Sequence, residues 1–218
     1  SGTGSIGGLT ASVGTVTTKL WGSGDITKSG SGVLELQGAN GATEAYTGNV
    51  ILSAGTIKFT GAGSLGAVSS SVAAYNGTIT NAGILEFAGT ATQALNGVIS
   101  GAGSLAVSGA GQVFLYGNNT YSGGTRVSAG NATAQSLTSF GSGTVTLSGT
   151  GVVDLGGQAV ANNFVVNGGT LQGGTLNVTQ VTGTAGTISA NLNGTGAFTK
   201  SGAGTLILGG TNSYTGGT

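Results

Sequence analysis

Acidic side chains are the residues best able to do chemistry in this sequence, and there are five of them. Asp25, Glu35, Glu44, Glu86 and Asp154 are balanced by five Lys or Arg residues, so the formal net charge is zero. Acid–base cleavage of a polysaccharide needs two carboxylates that face one substrate. Because these acids are widely spaced along the chain, the sequence predicts no catalytic pair. We expect Glu35 and Glu86 to lie on the solvent side of strands.

Other kinds of catalytic site are excluded by composition. The sequence contains no His and no Cys, which removes Ser-His-Asp triads, Cys-His dyads and the ordinary zinc, iron–sulfur and haem ligand sets. It also lacks the basic excess that attracts nucleic acid or anionic lipid, and no apolar run is long enough to span a membrane. We therefore expect no catalytic residue, cofactor or metal, no nucleic-acid partner and no direct membrane insertion.

Two short motifs resemble known sites but have simpler interpretations. Lys28-Ser29 and Lys200-Ser201 could each form a Ser-Lys dyad, but adjacent residues of a strand or turn usually point apart. We interpret each lysine as a turn residue before a glycine bend. Residues 61–66 match the letters of the dinucleotide-binding fingerprint, but no helical pattern follows them, as that fold requires.

Apolar residues alternate with polar ones in short segments, as in residues 56–60, 144–148 and 175–179. This period of two is typical of strands with one buried face. Glycine makes up 48 of the 218 residues, and this density disfavours helices and supplies tight turns. A disordered chain remains an alternative, but 38% of the residues are hydrophobic, which opposes it. The sequence predicts an all-β protein with no helices of note.

One repeat occurs three times, at residues 28–36, 107–115 and 200–208, and each copy leads into a tyrosine signature. The signature residues are Gly30, Gly32, Leu34, Leu36, Tyr46 and Gly48 in the first copy, Gly109, Gly111, Tyr121 and Gly123 in the second, and Gly202, Gly204, Leu206, Leu208, Tyr214 and Gly216 in the third.

The three copies are unequally spaced, which a solenoid tolerates because each coil contacts only its neighbours. We expect a parallel β-helix of roughly ten coils, with a β-sandwich or jelly roll as the alternative. Leu34, Leu36, Leu206 and Leu208 should stack inside. Each signature tyrosine should be a half-buried ring that covers a corner, with its hydroxyl bonded to backbone; a receptor contact is the alternative.

The last repeat carries a family resemblance. Residues 201–208 with 212–218 resemble the autotransporter-associated β-strand repeat of type V secreted passenger domains, and residues 140–145 and 154–158 resemble the coils that follow it. The first copy departs from the pattern, because Asn49 replaces the second glycine. The resemblance implies a right-handed parallel β-helix that is exported across the outer membrane through a C-terminal β-barrel translocator outside this segment.

These observations give the expected organisation and role. Residues 1–218 should form a single β-helical passenger segment of a longer chain, with repeat signatures at about 24–55, 103–130 and 196–218. We expect a non-enzymatic, extended bacterial cell-surface or secreted protein, a stalk that acts in adhesion or surface-layer formation. Its partner would be a host-cell receptor or the extracellular matrix. The alternative is a self-associating filament or biofilm-matrix protein that stacks through its ends or faces, with homotypic association as its partnership.

Overall fold

The computed structural model describes residues 4–5, 7–43 and 45–218, so Glu44 lies outside the described residues. Within them the chain forms 26 short β-strands and no helix. Strands pair in parallel with strands one coil earlier and one coil later. The fold is a parallel β-helix, a solenoid of about ten coils, which confirms the predicted fold class. No helix in the described residues is long and apolar enough to cross a membrane.

Each coil crosses three faces in a fixed order along the chain. The first face stacks β3 (Gly14–Val16), β6 (Val33–Leu36), β8 (Thr56–Phe59), β12 (Ile84–Phe87), β15 (Ser104–Val107), β17 (Thr125–Val127), the first halves of β19 (Val145–Asp154), β21 (Phe164–Gln172) and β23 (Gln180–Ile188), and β25 (Ala197–Lys200). The second face stacks β10 (Val72–Tyr75), β13 (Thr92–Leu95), β16 (Gln112–Leu115), β18 (Asn131–Ala134), the second halves of β19, β21 and β23, and β26 (Leu206–Leu208).

The third face is made of two smaller sheets. One stacks β2 (Leu9–Ala11), β5 (Ile26–Lys28), β7 (Val50–Leu52), β11 (Ile79–Asn81) and β14 (Ile99–Ser100), and the other stacks β20 (Ala159–Val160), β22 (Thr175–Asn177) and β24 (Asn191–Asn193). Three further strands complete the set: β1 (Gly4–Ser5) pairs with β4 (Leu20–Trp21), and β9 (Ala67–Ser69) pairs antiparallel with β10.

Strand alternation decides which side chains enter the core. In β8, Ile57 and Phe59 are buried, whereas Thr56 and Lys58 are partly exposed. The next coil repeats the pattern in register, so the rings of Phe59 and Phe87 stack 4.9 Å apart and nearly parallel. Stacking of like side chains from coil to coil builds one continuous apolar core, which supplies the main driving force for folding.

The repeat leucines reach this core in the first copy but not fully in the third. Leu34 and Leu36 are buried. Leu208 is the register partner of buried Ile188 and lies at an inward position of the strand, yet it is 37% exposed. Leu206 is also partly exposed. The expectation that both third-copy leucines lie inside therefore needs correction, because β26 has a neighbouring strand on one side only.

Coil length varies because corners absorb extra residues. Leu85 and Leu105 are register partners one coil and 20 residues apart, whereas Ile57 and Leu85 are 28 residues apart. The longer coil contains the antiparallel hairpin of β9 and β10, whose turn places Ser70 and Ser71 at φ values of 49° and 70°. Positive φ at both turn residues matches the twist of a two-residue hairpin.

Candidate functional site: the repeat corners and outer faces

The lysine of the repeat binds the backbone of its own turn. Lys28 points into the core, two residues after Ile26 on the same strand, and is fully buried. Its Nζ donates to the carbonyl oxygens of Ser29 at 2.8 Å, Gly30 at 2.6 Å and Ala54 at 3.1 Å. Lys28 therefore acts as a corner clamp, with its ammonium group held by three carbonyl acceptors.

The third copy repeats this turn on an exposed corner. Lys200 Nζ donates to the carbonyls of Ser201 at 2.7 Å and Gly202 at 2.8 Å. Gly202 has φ of 69°, the same value as Gly30 in the first copy, which is a conformation that favours glycine. In both copies the ammonium group is bonded to the serine carbonyl, which is the arrangement of a turn clamp.

A Ser-Ala-Gly turn lies directly on the repeat corner one coil later. A Cβ at Gly55 would come within 3.0 Å of the carbonyl oxygens of Gly30 and Gly32. In the second copy, a Cβ at Gly130 would come equally close to the carbonyl oxygens of Gly109 and Gly111. The repeat thus specifies two turns that stack on successive coils, and the turn of the later coil has room for glycine alone.

The copies occupy different corners of the solenoid. In the first copy, Lys28 ends a strand of the third face and Leu34 lies on the first face. In the third copy, Lys200 ends a strand of the first face and Leu206 lies on the second. The second copy occupies the same corner as the third, between the first and second faces, because its Val107 lies on the first face and its Val113 on the second. The motif therefore specifies a turn with its flanking strands and fits more than one corner.

The remaining signature glycines also lie close to the preceding coil. An added Cβ would approach the backbone or Cβ of that coil to about 3.0 Å or less at Gly32, Gly48, Gly109, Gly111, Gly123, Gly204 and Gly216.

The signature tyrosines cover corners, and two of them are more deeply buried than expected. Tyr46 and Tyr121 are fully buried, and only Tyr214 is partly exposed. The hydroxyls of Tyr121 and Tyr214 are hydrogen-bonded to Thr125 and Thr218, the threonines four residues later. Sequence reasoning assigned these threonines no role, although their recurrence after each Tyr-x-Gly-Gly was the signal that could have found them.

Tyr46 uses backbone partners because Val50 stands where the other copies have threonine. Its hydroxyl donates to the Asn49 carbonyl at 2.6 Å and accepts the Ile26 N–H at 2.9 Å. Burial raises the pKa of Tyr46 to about 12, against the opposing effect of the Ile26 hydrogen bond. The ring of Tyr75 stacks on Tyr46 at 5.8 Å, and burial raises its pKa as well. These phenols are therefore neutral packing groups.

Charged side chains form a row on the outside of the first face. Lys58 is the register partner of both Glu35 and Glu86, and its Nζ lies 3.4 Å from Glu86 Oε1. The Thr60 hydroxyl and the Gln37 amide donate to Glu35 and, with Lys58, hold the pKa of this carboxyl below its usual value. A general acid needs a raised pKa. The row is an alternating charge ladder on the outer surface.

The outer surface also carries three shallow depressions near the corner between the third and first faces, of about 520, 250 and 170 Å³. Hydroxyl and amide side chains predominate in their linings, and no carboxylate lines any of the three. Among the residues that the structure describes, no three acidic side chains come close enough to hold a metal ion. The lining residues include Leu137, Asn162, Thr179, Ser104, Arg126, Thr144, Asn163 and Gln180.

Comparison with known families identifies the repeat. A family model described as the passenger-associated-transport-repeat matches residues 26–58, 105–131 and 198–218. These segments overlap the three signatures read from the sequence. No curated protein and no solved structure matches the chain significantly. The three matched segments and the parallel β-helix together support an autotransporter passenger domain with repeats.

Proposed function

We propose that this chain is a non-enzymatic stalk that acts in adhesion or surface-layer formation on the bacterial surface. The repeat family itself implies export across the outer membrane, to the cell surface or into the medium. One observation carries the proposal: register-matched parallel strands stack on three faces around one continuous core. Ten coils at a spacing of about 4.8 Å give a rod roughly 50 Å long.

The mechanism of such a stalk is mechanical and interfacial. Backbone hydrogen bonds and stacked side chains join each coil to its neighbours, so the rod resists bending and presents its outer rows at fixed spacings. The charge ladder of Glu35, Lys58 and Glu86 and the carboxylate-free depressions supply contact surface. Neither has a paired acid and base of the kind that polysaccharide cleavage requires.

Adhesion is tested by coating microspheres with the purified chain and counting those retained on cultured epithelial cells and on collagen, fibronectin and laminin. Microspheres that carry the urea-unfolded chain are the control, because they present the same composition without the fold. Retention above this control on at least one surface is the expected result. Equal retention on every surface would contradict an adhesive role.

A self-associating filament is the second candidate, and exposed apolar residues on the first face favour it. Val33 and Ile84 are each 43% exposed and lie in one outward row, with Thr56 between them. A second copy could cover this row, since apolar surface removed from water stabilises association. Sedimentation that depends on concentration separates this role from that of a monomeric stalk.

A further inference from the structure

Two aromatic rings lie side by side on the outside of the second face. Phe114 points outward from β16, between buried Val113 and Leu115, and Tyr116 is the first residue after this strand. Their ring centroids are 6.4 Å apart, and the ring planes are inclined by 36°. Tyr116 is 48% exposed. Exposed aromatic side chains are uncommon on a surface dominated by Thr, Ser and Asn, and they are the residues that most often anchor a ligand.

The repeat does not require aromatic residues at these positions. Alignment of the three copies places Glu35 and Ile207 at the position of Phe114, and Gln37 and Gly209 at the position of Tyr116. All three copies form strands at this point. The aromatic pair is therefore an addition to the repeat, on the outer side of a strand whose folding depends on the inner side.

Polar groups surround the pair on the coils above and below. Tyr116 lies in line with Asn96 on one coil and Gln135 on the next, because the backbone bonds Tyr116 N–H to Leu95 O and Gln135 N–H to Leu115 O continue the ladder. In the neighbouring row Phe114 is the partner of Thr133, which is in turn the partner of Asp154.

The carboxylate of Asp154 is held in place by two donors. Its Oδ1 accepts from the Gly156 N–H at 2.8 Å and its Oδ2 from Gln172 Nε2 at 3.1 Å. Each oxygen has a further lone pair for a hydroxyl donor. Two amides on the adjacent coils and a fixed carboxylate two coils from Phe114 thus lie around the two rings.

Charge distinguishes between the ligands that could stack on these rings. Asp154 is the one charged residue in the strands of the second face, and those strands contain no Lys or Arg. A nucleic acid or a sulfated glycan needs basic groups nearby. A neutral pyranose offers a flat apolar face for ring stacking and hydroxyls for amide and carboxylate partners.

The size of the patch matches a short oligosaccharide. From Gln112 to Tyr116 the strand direction spans about 13 Å, and from Ala94 to Asp154 three coil spacings span about 14 Å. We infer that Phe114 and Tyr116, framed by Asn96, Gln135 and Asp154, bind a neutral oligosaccharide. Glycan binding at this patch deepens the proposed adhesive function and rests on it.

Ligand-observed NMR titration of the full chain tests the site, with cellotetraose, chitotetraose and lacto-N-tetraose as probes. The double variant F114A/Y116A removes both rings, and V98A shortens an exposed apolar side chain next to the third face as the matched control. Circular dichroism shows whether each variant keeps the strand spectrum. Y116F, which keeps both rings, is the second variant if the double variant does not fold.

At least one tetrasaccharide is expected to bind the wild type and V98A alike, with affinity about tenfold or more weaker in F114A/Y116A. Y116F should stay within about threefold of the wild type. The inference is overturned if none of the three probes binds, if the double variant binds as well as the wild type, or if Y116F loses binding as completely as ring removal does.

The microsphere assay separates this inference from the stalk proposal. If wild-type microspheres adhere and those with F114A/Y116A adhere equally, the glycan site is wrong and the adhesive stalk stands. If no microsphere adheres while a tetrasaccharide binds through the rings, the glycan site stands and the adhesive role is wrong.

Discussion

Replacement of Gly55 by Ala tests coil stacking at the repeat corner with one methyl group. Gly55 has φ of 71°, and its Cβ would lie within 3.0 Å of the carbonyl oxygens of Gly30 and Gly32. These coils are tied together on both sides, because Thr56 N–H donates to Gly32 O at 3.1 Å and Ile84 N–H donates to Gly55 O at 2.9 Å. A methyl group therefore cannot be accommodated without widening a hydrogen-bonded spacing.

Gly61 provides a matched control for the backbone conformation. It has φ of 57°, and nothing lies within 4 Å of its Cβ position. G61A should cost about 1–2 kcal/mol for a left-handed alanine. G55A incurs that same cost and a further cost of about 1–3 kcal/mol for overpacking. We expect the free energy of unfolding of G55A to be lower than that of G61A by about 2 kcal/mol.

Urea denaturation followed by far-UV circular dichroism measures this difference. Amide hydrogen exchange shows where the destabilisation lies, because a solenoid can open locally. In G55A the protection of backbone amides should fall near β6 and β8 and remain in β21. Equal unfolding midpoints for G55A and G61A would refute direct stacking of the two corners.

Three further outcomes follow from the side-chain contacts. Y46F removes one of the two acceptors of the buried Ile26 N–H, which also donates to Asn49 O at 2.9 Å, and Y75F removes a donor to the Gly48 carbonyl, so each variant should lose about 1 kcal/mol in urea titrations; a loss above about 3 kcal/mol in Y46F alone would contradict the shared Ile26 hydrogen bond. Because the folded pKa of Tyr46 is raised to about 12, stability should be constant below the ordinary tyrosine pKa of about 10 and fall between about pH 10 and 12; a constant urea midpoint over that interval would argue against a buried phenol. K58A should cost less than about 1 kcal/mol and lose that effect in high salt, and a loss above about 2 kcal/mol would mean that the charge ladder with Glu86 supports the fold.

Much of the fold could be predicted because the core obeys a period of two. Ile57 and Phe59 alternate with polar neighbours, and the structure buries them. The same rule places Lys28 inward, two residues after Ile26. The sequence indicated a turn lysine before a glycine bend, and its third carbonyl acceptor becomes visible only when the Ala54 turn of the next coil lies above it.

The corner of the solenoid that each repeat occupies could not be predicted from the sequence. Which face receives Leu34 or Leu206 depends on the number of corners crossed before it, and corner lengths vary from coil to coil. The aromatic site could be recognised only from the fold, because it too depends on how successive coils align. Alternation shows that Phe114 points outward, but only the coil register places Asp154 in the same outward row, two coils away and 40 residues later in sequence.

Sedimentation velocity across a wide concentration series, with far-UV circular dichroism on the same samples, tests the central claim most directly. A rigid β-helical stalk predicts a strand spectrum and a single elongated monomer, about 50 Å long, whose sedimentation coefficient does not rise with concentration. Species that grow with concentration would contradict the monomeric stalk and make the filament the better description, and a coil spectrum would contradict the β-helix itself.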